Sequence, residues 1–360
     1  LLDPSILAVS ADLRQMALII ILLKAGLSLN LADLKRVGRP AVMMACVPAS
    51  FEILGFLIFA PHILGVTRVE AAVMGAVLSA VSPAVVIPRM VQLMEERYGT
   101  DKSIPQMIMA GASCDDIFVI VLFSTFVTMA QGGAVHGTDL LNVPVSIILG
   151  VALGVGTVYA LSLFCEKAYG CGRYVRNSTK VIILLVVSFL LIAVETWLKE
   201  IVSISGLLAV VSTACVLKIR SIPDVSSRLS EKFGKLWIAA EVILFVLVGA
   251  AVDIRYTLEA GLPALAMIAA ALVFRSLGTM FCLFGTALNL KERLFCIIAY
   301  LPKATVQAAI GSVPLALGLP CGALVLSVAV LAILITAPLG ALGMALTYKK
   351  LLKKNGSIPA

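Results

Sequence analysis

Apolar runs of about twenty residues, each closed by charges, Gly or Pro, follow one another along the whole 360-residue chain. At a helical rise of about 1.5 Å per residue, a run of that length matches the hydrocarbon core of a bilayer. A water-soluble body is excluded on the same ground: 61% of residues are hydrophobic and 13% charged, with a mean hydropathy of +1.09, against roughly 25% charged in soluble domains. Only 6% of residues are aromatic, and the long aliphatic stretches lack the two-residue alternation of a β-barrel. The pattern predicts an all-α polytopic membrane protein with eleven spans, at residues 11–30, 40–60, 68–94, 104–130, 143–166, 177–198, 201–218, 231–252, 261–288, 292–316 and 321–348. Short connections leave a single transmembrane domain over 1–360 and no room for a soluble one. The chain opens on Leu1 and a polar stretch with Asp3, Asp12 and Arg14 but no signal-peptide pattern, and it reads as a fragment whose natural start is absent.

A formal charge of +8 suggests nucleic acid only until the charges are placed. Of the 28 Lys and Arg, 21 fall in connections or near span ends on one side, which the positive-inside rule makes cytoplasmic. Arg14, Arg68, Lys199 and Arg255 fall on the other side, and Lys24, Arg275 and Lys303 lie within spans. Nucleic acid is therefore not an expected partner; the lipid bilayer is. The eight cysteines sit mostly in apolar stretches without CxxC or Cys/His spacing, so they read as small buried hydrophobes rather than disulfides or zinc ligands.

A weak internal repeat runs at an offset of 223: Gly38, Pro40 and Ala41 recur as Gly261, Pro263 and Ala264, and Gly26 recurs as Gly249. The copies start on opposite sides of the membrane, the mark of an inverted-topology repeat. It divides the chain into a first core repeat at 11–130, linking helices at 143–218 and a second core repeat at 231–348. At the same offset Glu52 matches Arg275, both mid-span. An unpaired charge in a bilayer costs several kcal/mol, so the two are expected to form an ion pair, either as a brace or as part of ion coupling.

Two spans are interrupted at matching places. Ser79-Ala-Val-Ser82-Pro83-Ala-Val-Val-Ile-Pro88 carries two prolines, and Leu301-Pro302-Lys303-Ala304-Thr305-Val306-Gln307 carries a proline and a cation. Proline removes an amide donor and clashes with the preceding turn, so Pro83, Pro88 and Pro302 predict helix breaks, and paired broken helices point to a midplane ion site. Lys303 either pairs with Asp115 or neutralises the carbonyls freed at the crossing. Between the interruptions, Ser113-Cys114-Asp115-Asp116 sets two adjacent carboxylates about a dozen residues from either end of an apolar span, too deep to snorkel. Neighbours on a helix point about 100° apart, so one can face the break while the other meets a base. Desolvation and mutual repulsion favour protonated carboxylates in general, so proton and metal cation compete for such a site. Lys24 and Glu195 sit near span ends where they can snorkel, Glu241 is deeper and within reach of Lys24, and His62 and His136 fall in outer connections.

Together these residues resemble the monovalent cation:proton antiporter superfamily, in particular its NHA-type sodium/proton exchangers. The resemblance is carried by Ser113-Cys114-Asp115-Asp116, by Leu301-Pro302-Lys303-Ala304-Thr305-Val306-Gln307-Ala308-Ala309, by Glu52 with Arg275, and by Gly26-Leu27-Ser28-Leu29. It implies an inverted-repeat fold with two crossed discontinuous helices, N-terminal helices ahead of residue 1, a homodimer, and a mobile core moving against a dimerisation domain. It also implies Asp116 as the main ligand of the transported Na⁺ or Li⁺, with Asp115, Ser82 and Thr305 beside it, and no cofactor. Other branches carry Thr-Asp-Pro at the first interruption, where this chain has Ser82-Pro83, and the electrogenic bacterial relatives carry Lys where it has Arg275. Arginine does not release its proton at accessible pH, so one-for-one, electroneutral exchange is expected. A plasma or inner membrane is the expected location. A K⁺/H⁺ antiporter or potassium-efflux pathway of the same superfamily, and a sodium-coupled organic-solute symporter, are the alternatives. The absence of a nucleophile–base pair, metal cluster or phosphate loop in the sequence argues against an enzyme.

Overall fold

A computed structural model describes residues 9–28, 37–131, 139–170, 176–198, 204–251 and 261–355. Among these, the regular elements are fifteen helices: α1 (Ser10–Ser28), α2 (Arg39–Met44), α3 (Val47–Ile63), α4 (Arg68–Ser79), α5 (Pro83–Glu95), α6 (Ile104–Gln131), α7 (Asp139–Gly170), α8 (Asn177–Leu198), α9 (Gly206–Arg220), α10 (Pro223–Ala251), α11 (Gly261–Cys282), α12 (Leu290–Ala299), α13 (Thr305–Gly311), α14 (Val313–Ala316) and α15 (Gly322–Leu351). Seven stretches of described residues are long and apolar enough to cross a bilayer unaided, at 39–63, 68–95, 104–131, 177–198, 224–250, 261–282 and 322–351. The molecule is an integral, multi-pass membrane protein.

Three expectations need correction. Pro88 does not break a helix: it lies inside the continuous α5. The interruption closes at Pro83, which stands at the first helical position where its missing amide costs nothing. The span expected over 261–288 ends at Cys282, and residues 283–289 turn toward the next helix. The span expected from 231 begins at Pro223, because proline at the first position with Asp224 in the first turn starts a helix in residues whose polarity reads as a connection. Residues 201–203 and 252, His136 and Leu29, and the side chains of Ser28 and Ser113, lie outside the description.

The helices gather into two compact units. One holds α1, α7 to α10 and residues 120–131 of α6; the other holds α2 to α5, residues 104–119 of α6 and α11 to α15. Packing thus places α1 and α10 with the helices between the repeats, whereas the sequence repeat groups them with the cores. The first unit is joined by close backbone approaches: a Cβ at Gly26 of α1 would lie 2.5 Å from the Ala214 Cβ of α9, so only glycine admits the contact. At its polar end Glu195 Oε2 accepts the Gly206 amide at 3.0 Å, meeting a free donor at the start of α9 instead of snorkelling. Lys24 stands over Trp237, 5.6 Å from the ring centroid, and Trp237 lies one turn before Glu241 on α10.

In the second unit α3 lies against both α4 and α11. A Cβ at Gly278 would come within 2.9 Å of Phe51 Cβ and 3.0 Å of Pro48 Cα, so the small residue lets α11 approach α3 closely. Capping boxes open both interrupted spans: Thr67 with Glu70 before α4, and Asn289 with Glu292 before α12. The connection after α5 contains Arg97 (φ 61°) and Ser103 (φ 52°) in left-handed backbone. It is clasped by the end of the chain, through Gly99 N–H to Lys353 O and Asn355 N–H to Arg97 O, each 2.9 Å.

Candidate functional site

Both interruptions and the two charged helices meet within the second unit. Helix α4 ends at Ser79, residues 80–82 are extended, and Ser82 is the N-cap of α5. Helix α12 ends at Ala299, residues 301–304 are irregular, and Thr305, which is buried, opens α13. The breaks touch directly, with the Ser82 amide donating to the Pro302 carbonyl at 2.8 Å.

A break in a membrane helix frees carbonyls that water cannot reach, and each must find a donor. Lys303 Nζ donates to Leu78 O, Arg275 Nη1 to Ser79 O, and Gln307 Nε2 to Ala80 O at 2.7 Å. These are the last carbonyls of α4, where the helix dipole also favours positive charge. Arg275 Nε reaches the Tyr300 carbonyl at the end of α12, so one guanidinium serves both broken ends.

The charges close on one another. Arg275 Nη1 donates to Glu52 Oε2 at 2.8 Å, and Lys303 Nζ lies 2.7 Å and 2.8 Å from the two Glu52 oxygens. Arg275 Nη2 lies 3.3 Å from Asp115 Oδ2, which also accepts the Val81 amide at 2.7 Å. Glu52, Arg275 and Asp115 are fully buried, and Lys303 is 1% exposed. Lys303 therefore partners Glu52 and the crossing carbonyls rather than Asp115. Its backbone amide is held by Thr336 Oγ1 at 3.0 Å, which in turn donates to Ala332 O of α15.

Asp116 follows Asp115 on α6 and is 6% exposed. Ser82 Oγ and Asp115 Oδ1 are buried and take no hydrogen bond from the described residues. The Ser82 hydroxyl does not cap α5 even though the residue occupies the N-cap. Buried oxygens of this kind suit a hard cation, which takes oxygen ligands.

Thus the structure brings together Glu52, Arg275, Asp115 and Lys303, sets Asp116, Ser82 and Thr305 on the elements that carry them, and leaves Pro88 within a helix. Sequence reasoning misses Tyr300, Thr336 and the Val81 amide. Tyr300 and Thr336 carry no charge and sit in apolar runs, and a backbone amide has no signature of its own. The two N-cap–x–x–Glu boxes, Thr67 with Glu70 and Asn289 with Glu292, are readable in the sequence as helix starts.

Comparison with known proteins agrees over nearly the whole chain. A family model described as "Sodium/hydrogen exchanger, transmembrane" matches residues 3–350. Sodium/hydrogen exchanger 9B2 of Mus musculus is 35% identical over 356 residues, covering 96% of this chain and 64% of the relative. Sodium/hydrogen exchanger 9B1 of Homo sapiens is 31% identical over 377 residues, covering 96% and 67%. The chain thus spans about two thirds of the length of these relatives. The structure of the sodium proton antiporter MjNhaP1 from Methanocaldococcus jannaschii at pH 8 superposes with a TM-score of 0.77 at 19% identity, over 98% of this chain and 88% of that one. That likeness establishes the fold, an inverted repeat with crossed broken helices. The matched family model, spanning both interruptions and the Asp pair, establishes the rest: the chain belongs to the sodium/hydrogen exchanger family.

Proposed function

We propose that the chain is a secondary antiporter that exchanges Na⁺, or Li⁺, for H⁺ by alternating access, one cation for one proton. The observation that carries this reading is the charge balance at the crossing. Two buried carboxylates, Glu52 and Asp115, face two buried cations, Arg275 and Lys303, within ion-pair distance. Opposite charges held this closely offset much of their desolvation, and the four groups balance two against two. Asp116 adds one further carboxylate on the same helix, and a carboxylate that takes either a cation or a proton exchanges one for the other without moving net charge. Ser82 Oγ and Asp115 Oδ1, buried oxygens that take no hydrogen bond from the described residues, support this reading as further oxygen ligands beside Asp116, with Thr305 at the start of the second half-helix.

The test is proton flux followed by a pH dye in proteoliposomes, with Na⁺, Li⁺ or K⁺ added in turn, at zero and at imposed membrane potential. Na⁺- and Li⁺-driven flux that ignores the potential is expected. Flux driven by K⁺ alone would replace the substrate, and a clear voltage dependence would refute one-for-one exchange. Asp116→Asn should abolish flux in a protein that still folds, whereas normal flux in that variant would remove Asp116 from the site.

We also infer a homodimer in a plasma or inner membrane, with the 143–218 helices as the dimer contact. This rests on the family resemblance. A monomer mass by light scattering in mild detergent, or a fluorescent fusion confined to another membrane, would refute the corresponding half.

A further inference from the structure

We propose that Tyr300 is a positioning residue of the cation site, and that its hydroxyl is a donor reserved for the α6 carboxylates during transport. The proposal rests on the antiport reading above. Tyr300 caps the C-terminus of α12 and is fully buried. Its carbonyl accepts Arg275 Nε, and its ring centroid lies 5.6 Å from Arg275 Cζ, so backbone and ring both hold the guanidinium that meets Asp115. On the far side its hydroxyl presses against Gly111 of α6, one turn before Asp115. A Cβ at that position would lie 2.1 Å from Tyr300 Oη and 2.9 Å from Met44 Cβ. Only glycine there lets the phenol reach so far into α6, and the phenol in turn fixes how α6 sits against the second break.

The hydroxyl that achieves this approach makes no hydrogen bond with the described residues, and neither does Asp115 Oδ1. A buried hydroxyl without a partner is a stability cost that Phe would remove while keeping ring and carbonyl in place. Tyrosine at such a position is explained if another stage of the cycle gives the hydroxyl a partner. The carboxylates of α6 are the strong acceptors one turn away, and a donor that meets one of them as the cation enters or leaves would tune the apparent affinity for Na⁺.

The test compares Tyr300→Phe with the unaltered chain in proteoliposomes. The unaltered chain is measured first, and absence of Na⁺-driven proton flux there would sink the antiport reading rather than this one. Given flux, Tyr300→Phe should raise the apparent KM for Na⁺ about tenfold, the scale of a hydrogen bond to a charged group, with an unchanged or higher melting temperature in detergent. An unchanged KM would overturn the proposal. So would a variant that melts lower or fails to fold, since the hydroxyl would then have a structural partner. Gly111→Ala provides a second route, because the added methyl displaces the phenol. It should raise KM similarly, and the Gly111→Ala/Tyr300→Phe pair should be no worse than Gly111→Ala alone. Additive losses would mean that the methyl and the hydroxyl act independently.

Discussion

In the first interruption the chain leaves α4 at Ser79 and re-enters a helix at Pro83; in the second it leaves α12 at Ala299 and re-enters at Thr305. Both approach the break through a helix opened by a capping box, and both use a proline inside or beside the irregular residues. Their chemistry differs. The first supplies acceptors, the carbonyls of Leu78, Ser79 and Ala80, and two amides, Val81 to Asp115 and Ser82 to the Pro302 carbonyl. The second supplies side-chain donors, Lys303 and Gln307, which reach across to the Leu78 and Ala80 carbonyls, while Arg275 of α11 takes Ser79. A symmetric pair of breaks would leave two sets of unmet carbonyls in a medium without water. Here side chains of the second meet Leu78 and Ala80 of the first, while Arg275 and the Ser82 amide meet Ser79, Tyr300 and Pro302, which accounts for a lysine in only one copy.

The largest test of that division falls on Glu52, the carboxylate that both Arg275 and Lys303 share. Breaking a buried pair by removing one partner costs about 3–5 kcal/mol, so Glu52→Gln should lower the melting temperature in detergent strongly. Adding Lys303→Gln leaves Arg275 with Asp115, a matched pair, and should recover more than adding Arg275→Gln, which leaves Lys303 without a direct carboxylate contact. Equal recovery in the two double variants would show that Lys303 is not committed to the first break.

Gln307→Leu probes the neutral half of the same division. Its loss strips the Ala80 carbonyl of its 2.7 Å donor, at a cost of about 1–3 kcal/mol for a buried unmet group. A melting temperature equal to that of the unaltered protein would mean that Ala80 finds another donor, and that the second break is not its supplier.

Smaller still, Thr67→Ala and Asn289→Ala each remove the side chain that caps an interrupted helix. About 1 kcal/mol is expected from each, seen as similar drops in melting temperature. A loss at one site only would show that the two breaks are not held by equivalent helix starts.

The smallest effect lies beyond the first break, where α5 leaves the membrane. Hydrogen bonds from Gln92 and then from Tyr348, with Arg89 nearby, hold the Glu96 carboxyl below the usual carboxylate range. A lowered value means a contribution present above the ordinary carboxylate pKa and lost as pH falls through the folded one. The difference in melting temperature between the unaltered protein and Tyr348→Phe should therefore be small at neutral pH and vanish on acidification. A difference independent of pH would mean that the Tyr348–Glu96 bond contributes nothing through the charge.

Much of the architecture is legible in the chain because a bilayer leaves few choices. An apolar run of some twenty residues must be helical, since its backbone groups have no other partners, and the matched prolines mark where that rule is suspended. Charges within such runs are equally legible: Glu52 and Arg275, 223 positions apart, need each other because neither can be solvated. What periodicity leaves open is local and tertiary. Pro88 reads as a break yet sits inside α5, because a proline's effect depends on whether neighbouring residues can carry the helix past it.

Hydropathy and proline act along the chain, and they suffice to fix a membrane protein of helices with two interruptions, an acidic pair and three cations within spans. Which cation serves which group is a matter of packing. Lys303 turned to Glu52 and the Leu78 carbonyl, Arg275 bridged Glu52, Asp115 and both broken ends, and Tyr300 entered against Gly111. Those choices turn on separations of about 3 Å between residues 25 to 251 positions apart, which the close approach of helices sets and no one-dimensional pattern encodes.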